Sequence, residues 1–519
     1  MKINLEDLTL EEKVGQMLMF AFHGTEINEQ LKTQIDKYHI GGVIHFARNI
    51  INPIQVTQLN KDIINYAKIP PFIGVDQEGG IVQRIIKGVT PFPGAMALSS
   101  TNENIEELCY YVGSNLRNMN YNMVFAPVAD VNNNPKNPVI NSRSYSDNPM
   151  VVSRYVKMAV NGFKRANIIP FLKHFPGHGD TNVDSHVGLP FVRKTKEELN
   201  LTELVPFVDA INSGAPGVMV AHIMYPAFDN KYPSTLSKNI VNGLLKKEIG
   251  FNGLVITDSL TMAAIYNNYS KKDIVTLSAN AGIDIMMFCG KATLEEQDEI
   301  YNALLNAVKC GKIPLSRVDD AVKKILEYKE KYCNKIFDNY EFPSNDMIKL
   351  GNDLSKKSIT LVKDNKIDLT KKTLVIFPRI KLMSLVDNEK DEYVTIGQTL
   401  KKNGVMVDEV IIDSTEDNLS KEEIINANKY DNIIMATINV QADDYQVDVY
   451  KSLPSKKVTV VAMRSPYDVL YLPNIQGYIC IYEATALAIN SLCEALIENK
   501  FNGKLPISLN IKGDGLLWN

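Results

Sequence analysis

Short runs of apolar, often β-branched residues recur at intervals along the first 290 positions. They are QMLMFAF (16–22), GGVIHF (41–46), PFIGVD (71–76), NMVFAP (122–127), IIPFLKHF (168–175), GVMVAH (217–222), GLVITD (253–258) and IDIMMF (283–288). Between and after them lie stretches such as PIQVTQLNKDIINYAK and LEEQDEIYNALLNAVKCGK, whose apolar residues return every three to four positions. The first pattern predicts strands buried on both faces, the second predicts amphipathic helices. Continuous apolar strands alternating with helices imply a parallel sheet covered by helices. Eight such pairs over roughly 300 residues are what a (β/α)₈ barrel requires. A doubly wound open sheet satisfies the same pattern, because periodicity does not report closure.

A charged stretch, EYKEKYCNKIFDNYEFPSNDM, follows the eighth unit and predicts a boundary near residue 340. A helix over IKLGNDLSKKSITLV then leads into a second alternating set. Its strands are TLVIFP (373–378), DEVIID (408–413), NIIMATI (432–438), KVTVVAM (457–463) and GYICIY (477–482). The predicted organisation is a TIM-type (β/α)₈ barrel over 1–335, a linker over 336–350, and a smaller α/β sandwich domain over 351–519. At 519 residues the chain is long enough for two to four domains of ordinary size.

Charge narrows the function classes. The chain carries 56 Lys+Arg against 60 Asp+Glu, a net charge of −4, without the basic excess of a nucleic-acid binder. No segment approaches the roughly 20 apolar residues of a membrane span, and the N-terminus is acidic where a signal peptide would be basic. A soluble, cytoplasmic protein is expected. The six cysteines form no CxxC pair and read as reduced thiols. All seven histidines lie at or before His222, which points the proton-transfer chemistry at the N-terminal part.

In a barrel, the carboxyl ends of the strands converge on one mouth. Those ends carry Asp76, Asp130, Lys173, His174, His222 and Asp258. The densest segment runs from Lys173 to His186 (KHFPGHGDTNVDSH), and its PGHG core predicts a structured loop. Asp184 and His186, two apart in extended chain, would project to one side. A carboxylate beside an imidazole fixes its tautomer and raises its pKa, as a general acid needs. Zinc is the competing use of such a cluster, but HEXXH and paired-cysteine spacings are absent, so no metal and no cofactor are expected.

The segment KHFPGHGDTNVDSH resembles the signature of family 3 glycoside hydrolases of the β-N-acetylglucosaminidase (NagZ-like) group. GVDQEGGIVQR, FAPVADV, NPVINSRSYSDNP, MVAHIMYPAFD and LVITDSLTM extend the likeness across the barrel. The resemblance implies a retaining exo-enzyme that removes terminal β-N-acetylglucosamine from peptidoglycan-derived fragments. It implies Asp258 as nucleophile, His186 as acid/base and Asp184 as its support. Asp76, Arg84, Arg143, Lys173 and His174 would hold the sugar, and His222, closing the sixth strand, joins them as a candidate. Small carbohydrates are the expected partners, with neither nucleic acid nor membrane. Ile81 and Ser259 depart from the family pattern without touching the expected chemistry. Three alternatives stand beside this reading: a phosphorylase, a β-glucosidase or β-xylosidase drawing a carboxylate such as Glu483 from the second domain, and an inactive sugar-binding protein.

Overall fold

The structure is a computed structural model. It describes the whole chain except residues 1–2, 182–183, 187, 291–292, 381–386, 388–392, 511–516 and 519. Each of the eight apolar runs forms a strand: β1 (Leu18–Phe20), β2 (Gly42–His45), β3 (Phe72–Val75), β4 (Met123–Val124), β5 (Ile169–Phe175), β6 (Gly217–Val220), β7 (Leu254–Thr257) and β8 (Met286–Phe288). Every residue in them is buried, which explains why the runs are mostly apolar rather than alternating, with polar residues such as Lys173 and His174 near the carboxyl ends. The strands pair in parallel in chain order, and β1 pairs with β8. A parallel bridge between Ile256 and Ile285 joins β7 to β8 and completes the ring. The sheet is therefore a barrel, and the open-sheet alternative is set aside.

Helices cover the outside, several started by a side-chain cap. Asn52, Asn148, Ser270 and Thr293 each accept a backbone N–H from the first turn. The helical stretch expected over 195–212 divides into Lys196–Leu201 and Val205–Asn212. Pro206 has no N–H to donate and fits only the first turn of a helix, so a second helix starts there.

A helix the hydrophobic pattern did not single out, Leu315–Tyr332, closes the floor under the amino ends of the strands. Lys324 Nζ donates to the Gly253 carbonyl (2.9 Å) and the Tyr328 hydroxyl to the Pro216 carbonyl (3.0 Å). Lys329 Nζ donates to Gln16 Oε1 (2.6 Å) and lies 5.2 Å from the centroid of the Phe72 ring. Buried, and without a carboxylate partner among the described residues, Lys329 has its pKa pushed from 10.5 down to about 7 by desolvation.

The second sheet has six strands: β9 (Thr360–Lys363), β10 (Thr373–Pro378), β11 (Val407–Ile412), β12 (Asn432–Thr437), β13 (Val458–Ala462) and β14 (Gly477–Cys480). Their order is β9–β14–β13–β12–β10–β11, parallel except for β9, which runs antiparallel to β14. The sequence pattern anticipates β10–β14 but takes Ile359–Val362 as the end of a helix. That helix, Asn345–Ser358, stops earlier, and after Ile359 the residues Thr360–Lys363 form an edge strand. The register is the reason: Thr360 pairs with Cys480, a partner 120 residues away that no local pattern reveals.

The two domains are in intimate contact. Gly351 lies so close to the barrel that a Cβ there would meet the Pro91 carbonyl at 2.1 Å. Met96 and Ala97, on a short helix of the barrel domain, are buried within the second domain's core. Ser100 Oγ donates to the Ser358 carbonyl (3.0 Å), and the Lys504 N–H to the Ser100 carbonyl (2.8 Å). Among the described residues no helix is long and apolar enough to cross a membrane.

Candidate active site

A cavity of about 620 Å³ opens at the carboxyl ends of the barrel strands. Asp76, Arg84, Arg143, Lys173, His174, His186 and Asp258 all line it, and all of its lining residues belong to the barrel domain. Seven of the nine side chains expected from the sequence thus meet in one place, because a parallel barrel delivers the ends of distant strands to one rim.

Asp258 follows β7 directly. Its N–H donates to the Val220 carbonyl (3.0 Å), and its Oδ1 accepts the Ser259 N–H (2.7 Å). Burial pushes its pKa up, but the His174, His222 and His186 imidazoles and the Ser259 N–H outweigh it and hold the carboxyl at about 2. Asp258 is a carboxylate across the neutral range. Ser259 is not the bystander the sequence suggested: it lines the cavity, and its backbone fixes the Asp258 oxygen.

On the loop after β5, Asp184 Oδ1 accepts both the His186 N–H and His186 Nδ1–H at 2.8 Å. The carboxylate can only accept, so one proton sits on Nδ1 and the other nitrogen carries the exchangeable chemistry. Asp184 stands behind His186 and does not itself line the cavity. Its pKa is lowered: burial would raise it, and the bond to His186 prevails.

A charged cluster occupies the wall formed by the ends of β3 and β5. Lys173 Nζ donates to Asp76 Oδ1 (2.9 Å) and lies 2.6 Å from Glu78 Oε1. Arg143 grips Glu78 with two bonds, Nε to Oε2 (2.9 Å) and Nη2 to Oε1 (2.8 Å). Arg84 Nη2 lies 3.4 Å from Asp76 Oδ2. Burial would raise the Glu78 pKa, but the two cations hold it far below the carboxylate range. Glu78 was not among the residues expected. The signal was its spacing of two from Asp76, which puts both carboxylates on one side of extended chain.

His174 and His178 share one anchor. Asp130, fully buried, accepts His174 Nδ1–H at 2.7 Å with Oδ2, and with Oδ1 the His174 N–H (3.0 Å) and the His178 N–H (2.7 Å). Asp130 therefore sits behind the rim and orients residues that reach it. His222 departs from its expected sugar-holding place. It is buried outside the lining, where Nε2–H donates to the Ser259 carbonyl and Nδ1 lies beside Thr235 Oγ1, each at 2.8 Å. Burial lowers its pKa, so it is a neutral brace under the Asp258 turn.

Glu483 does not reach the cavity. Its Oε2 accepts the Gly94 N–H (2.5 Å) and its Oε1 the Thr485 hydroxyl (2.9 Å), behind the turn at Gly79–Gly80. Among the described residues, no group of three or more His, Cys, Asp or Glu is arranged to hold a metal ion.

Residues 9–328 match the family described as "Glycosyl hydrolase family 3 N terminal domain", and the chain belongs to that family. It is 34% identical over 367 residues to Beta-hexosaminidase A of Pseudoalteromonas piscicida, covering 62% of this chain and 61% of that relative. It is 32% identical to a Beta-hexosaminidase of Stenotrophomonas maltophilia, over 54% of this chain and 85% of the other. A family 3 β-N-acetylglucosaminidase structure from Paenibacillus sp. str. FPU-7 superposes with a TM-score of 0.90 at 34% identity, over 98% of this chain and 100% of that one. This likeness spans both domains, as the family match does not.

Proposed function

We propose that the chain is a retaining exo-β-N-acetylglucosaminidase that releases terminal non-reducing β-N-acetylglucosamine, with peptidoglycan-derived fragments as its substrate class. The observation that carries this reading is one cavity lined by an ionised aspartate, Asp258, and an imidazole backed by a carboxylate, His186. The names of the relatives support the choice of sugar.

Asp258 attacks the anomeric carbon and forms a glycosyl ester while His186 delivers its proton to the departing oxygen. His186 then takes a proton from a water that attacks from the face the leaving group vacated and displaces Asp258, so two inversions leave the configuration retained. Asp184 accepts the His186 Nδ1–H and keeps the ring from turning. The Asp76–Glu78–Lys173–Arg143 cluster presents fixed donors and acceptors to sugar hydroxyls. Lys173 has two N–H bonds committed to carboxylates, which leaves the third for substrate.

The test is a panel of aryl β-glycosides with the product anomer followed by NMR. The expected outcome is turnover of the N-acetylglucosaminide, little of the glucoside, and a β-configured first product. Asp258→Asn should abolish turnover of every substrate, and near wild-type rates in that variant would refute the assignment. A sugar 1-phosphate formed on adding phosphate would identify phosphate rather than water as acceptor.

A further inference from the structure

We infer that His178 is a positioning residue that fastens the acid/base loop to the barrel, so that His186 delivers its proton to the leaving group only while the His178 ring holds Ser185. This rests on the reading of His186 as the acid/base.

His178 is buried, and both ring nitrogens are engaged within its own loop. Nδ1 lies 2.8 Å from Thr181 Oγ1, and Nε2 lies 3.1 Å from Ser185 Oγ. The Thr181 hydroxyl donates in turn to the His178 carbonyl (3.1 Å). With the ring neutral and the Thr181 hydroxyl donating to the carbonyl, Nδ1–H donates to Thr181 and the Ser185 O–H donates to Nε2. That chain needs a neutral ring. Burial first, then His174, lowers the His178 pKa to about 4, which keeps it neutral where the enzyme would work.

Ser185, adjacent to His186, is tied at two positions: its side chain to His178, and its carbonyl to the Ala264 N–H at 3.3 Å, a long bond. His186 and Asp184 bond to each other through the His186 N–H and Nδ1–H, and Ser185 lies between them in the chain. His178 is itself bound to the rigid strand ends, because its N–H donates to Asp130, the carboxylate that also orients His174. Asn137 Nδ2 closes the start of the loop by donating to the His178 and Gly179 carbonyls (2.8 and 2.9 Å). One buried aspartate thereby sets both a cavity-wall histidine and, through the His178 ring, the place of the acid.

A general acid matters most when the leaving group is a poor one. The experiment measures kcat/KM, which reports steps only up to cleavage of the glycosidic bond, for 2,4-dinitrophenyl β-N-acetylglucosaminide and for N,N′-diacetylchitobiose. His186→Ala is the reference. His178→Ala should lose roughly 10- to 100-fold on the disaccharide and less than about threefold on the dinitrophenyl substrate, a fraction of the range available to one acid. Ser185→Ala, which removes only the hydroxyl, should show the same split and serves if the histidine variant fails to fold. Equal losses on both substrates, or no loss, in a folded variant would overturn the inference while His186→Ala still shows the split. If His186→Ala shows no split, the acid assignment falls, and this inference with it.

Discussion

Replacing Lys329 by Met should stabilise the barrel at neutral and acidic pH. The lysine lies under the strands, 7% exposed, with Gln16 Oε1 as its neutral acceptor and the Phe72 ring beside it. A fall in pKa from 10.5 to about 7 means that the folded state disfavours the ammonium by about 5 kcal/mol where both states would be protonated. The native state binds fewer protons than the unfolded chain between pH 7 and 10.5, so stability rises with pH across that window and the full penalty stands below it. Met has a similar length and no charge, but it leaves Gln16 Oε1 without a donor, at a cost of about 1–3 kcal/mol. The net gain at pH 6 is therefore roughly 2–4 kcal/mol, fading to a loss near pH 10. Thermal melting by circular dichroism at pH 6, 8 and 9.5 reads it directly. The wild type should gain stability over this series from Lys329, and the variant should lack that increment. A variant less stable than wild type at pH 6, with the same pH slope, would refute the reasoning.

Three further outcomes follow from the same principles. Glu78→Gln leaves Arg143 and Lys173 facing each other with only Asp76 between charges; breaking such a buried pair costs about 3–5 kcal/mol, and it should show as a lowered melting temperature together with a raised KM. Asp468, buried against the Thr437 hydroxyl (2.7 Å) and the Val440 N–H (3.0 Å), has its pKa pushed by burial from 3.8 to about 7. The folded state there holds a proton the unfolded chain has lost, so stability falls as pH rises from about 4 to 7, and Asp468→Asn should flatten that decline in denaturant melts. Glu483→Ala removes the acceptor of the Gly94 N–H behind the turn next to Glu78; kcat/KM should fall through KM, and an unchanged KM would show that the contact has no bearing on the sugar wall.

The sequence determined the elements and the identities of most site residues, because both are written locally. A strand buried on both faces is mostly apolar, so all eight barrel strands stand out as runs, and the polar residues at their ends are candidates for the rim: Asp76, His174 and Asp258 are legible for that reason. The pair Asp184–His186 is legible because its members are neighbours in the chain. What the sequence left undecided depends on partners far apart in it. Closure of the barrel rests on β8 pairing with β1 at one edge and bridging to β7 through Ile285 and Ile256 at the other, which the periodicity of the runs does not report. Edge strand β9 exists through a partner 120 residues on, and apolar periodicity alone reads it as helix. The same strand-end position serves two ends: Asp258 lines the cavity, while Asp130 and His222 turn inward to hold their neighbours. Only folding in three dimensions separates these, since a side chain's role follows from which atoms lie within about 3 Å of it, and those atoms come from other strands.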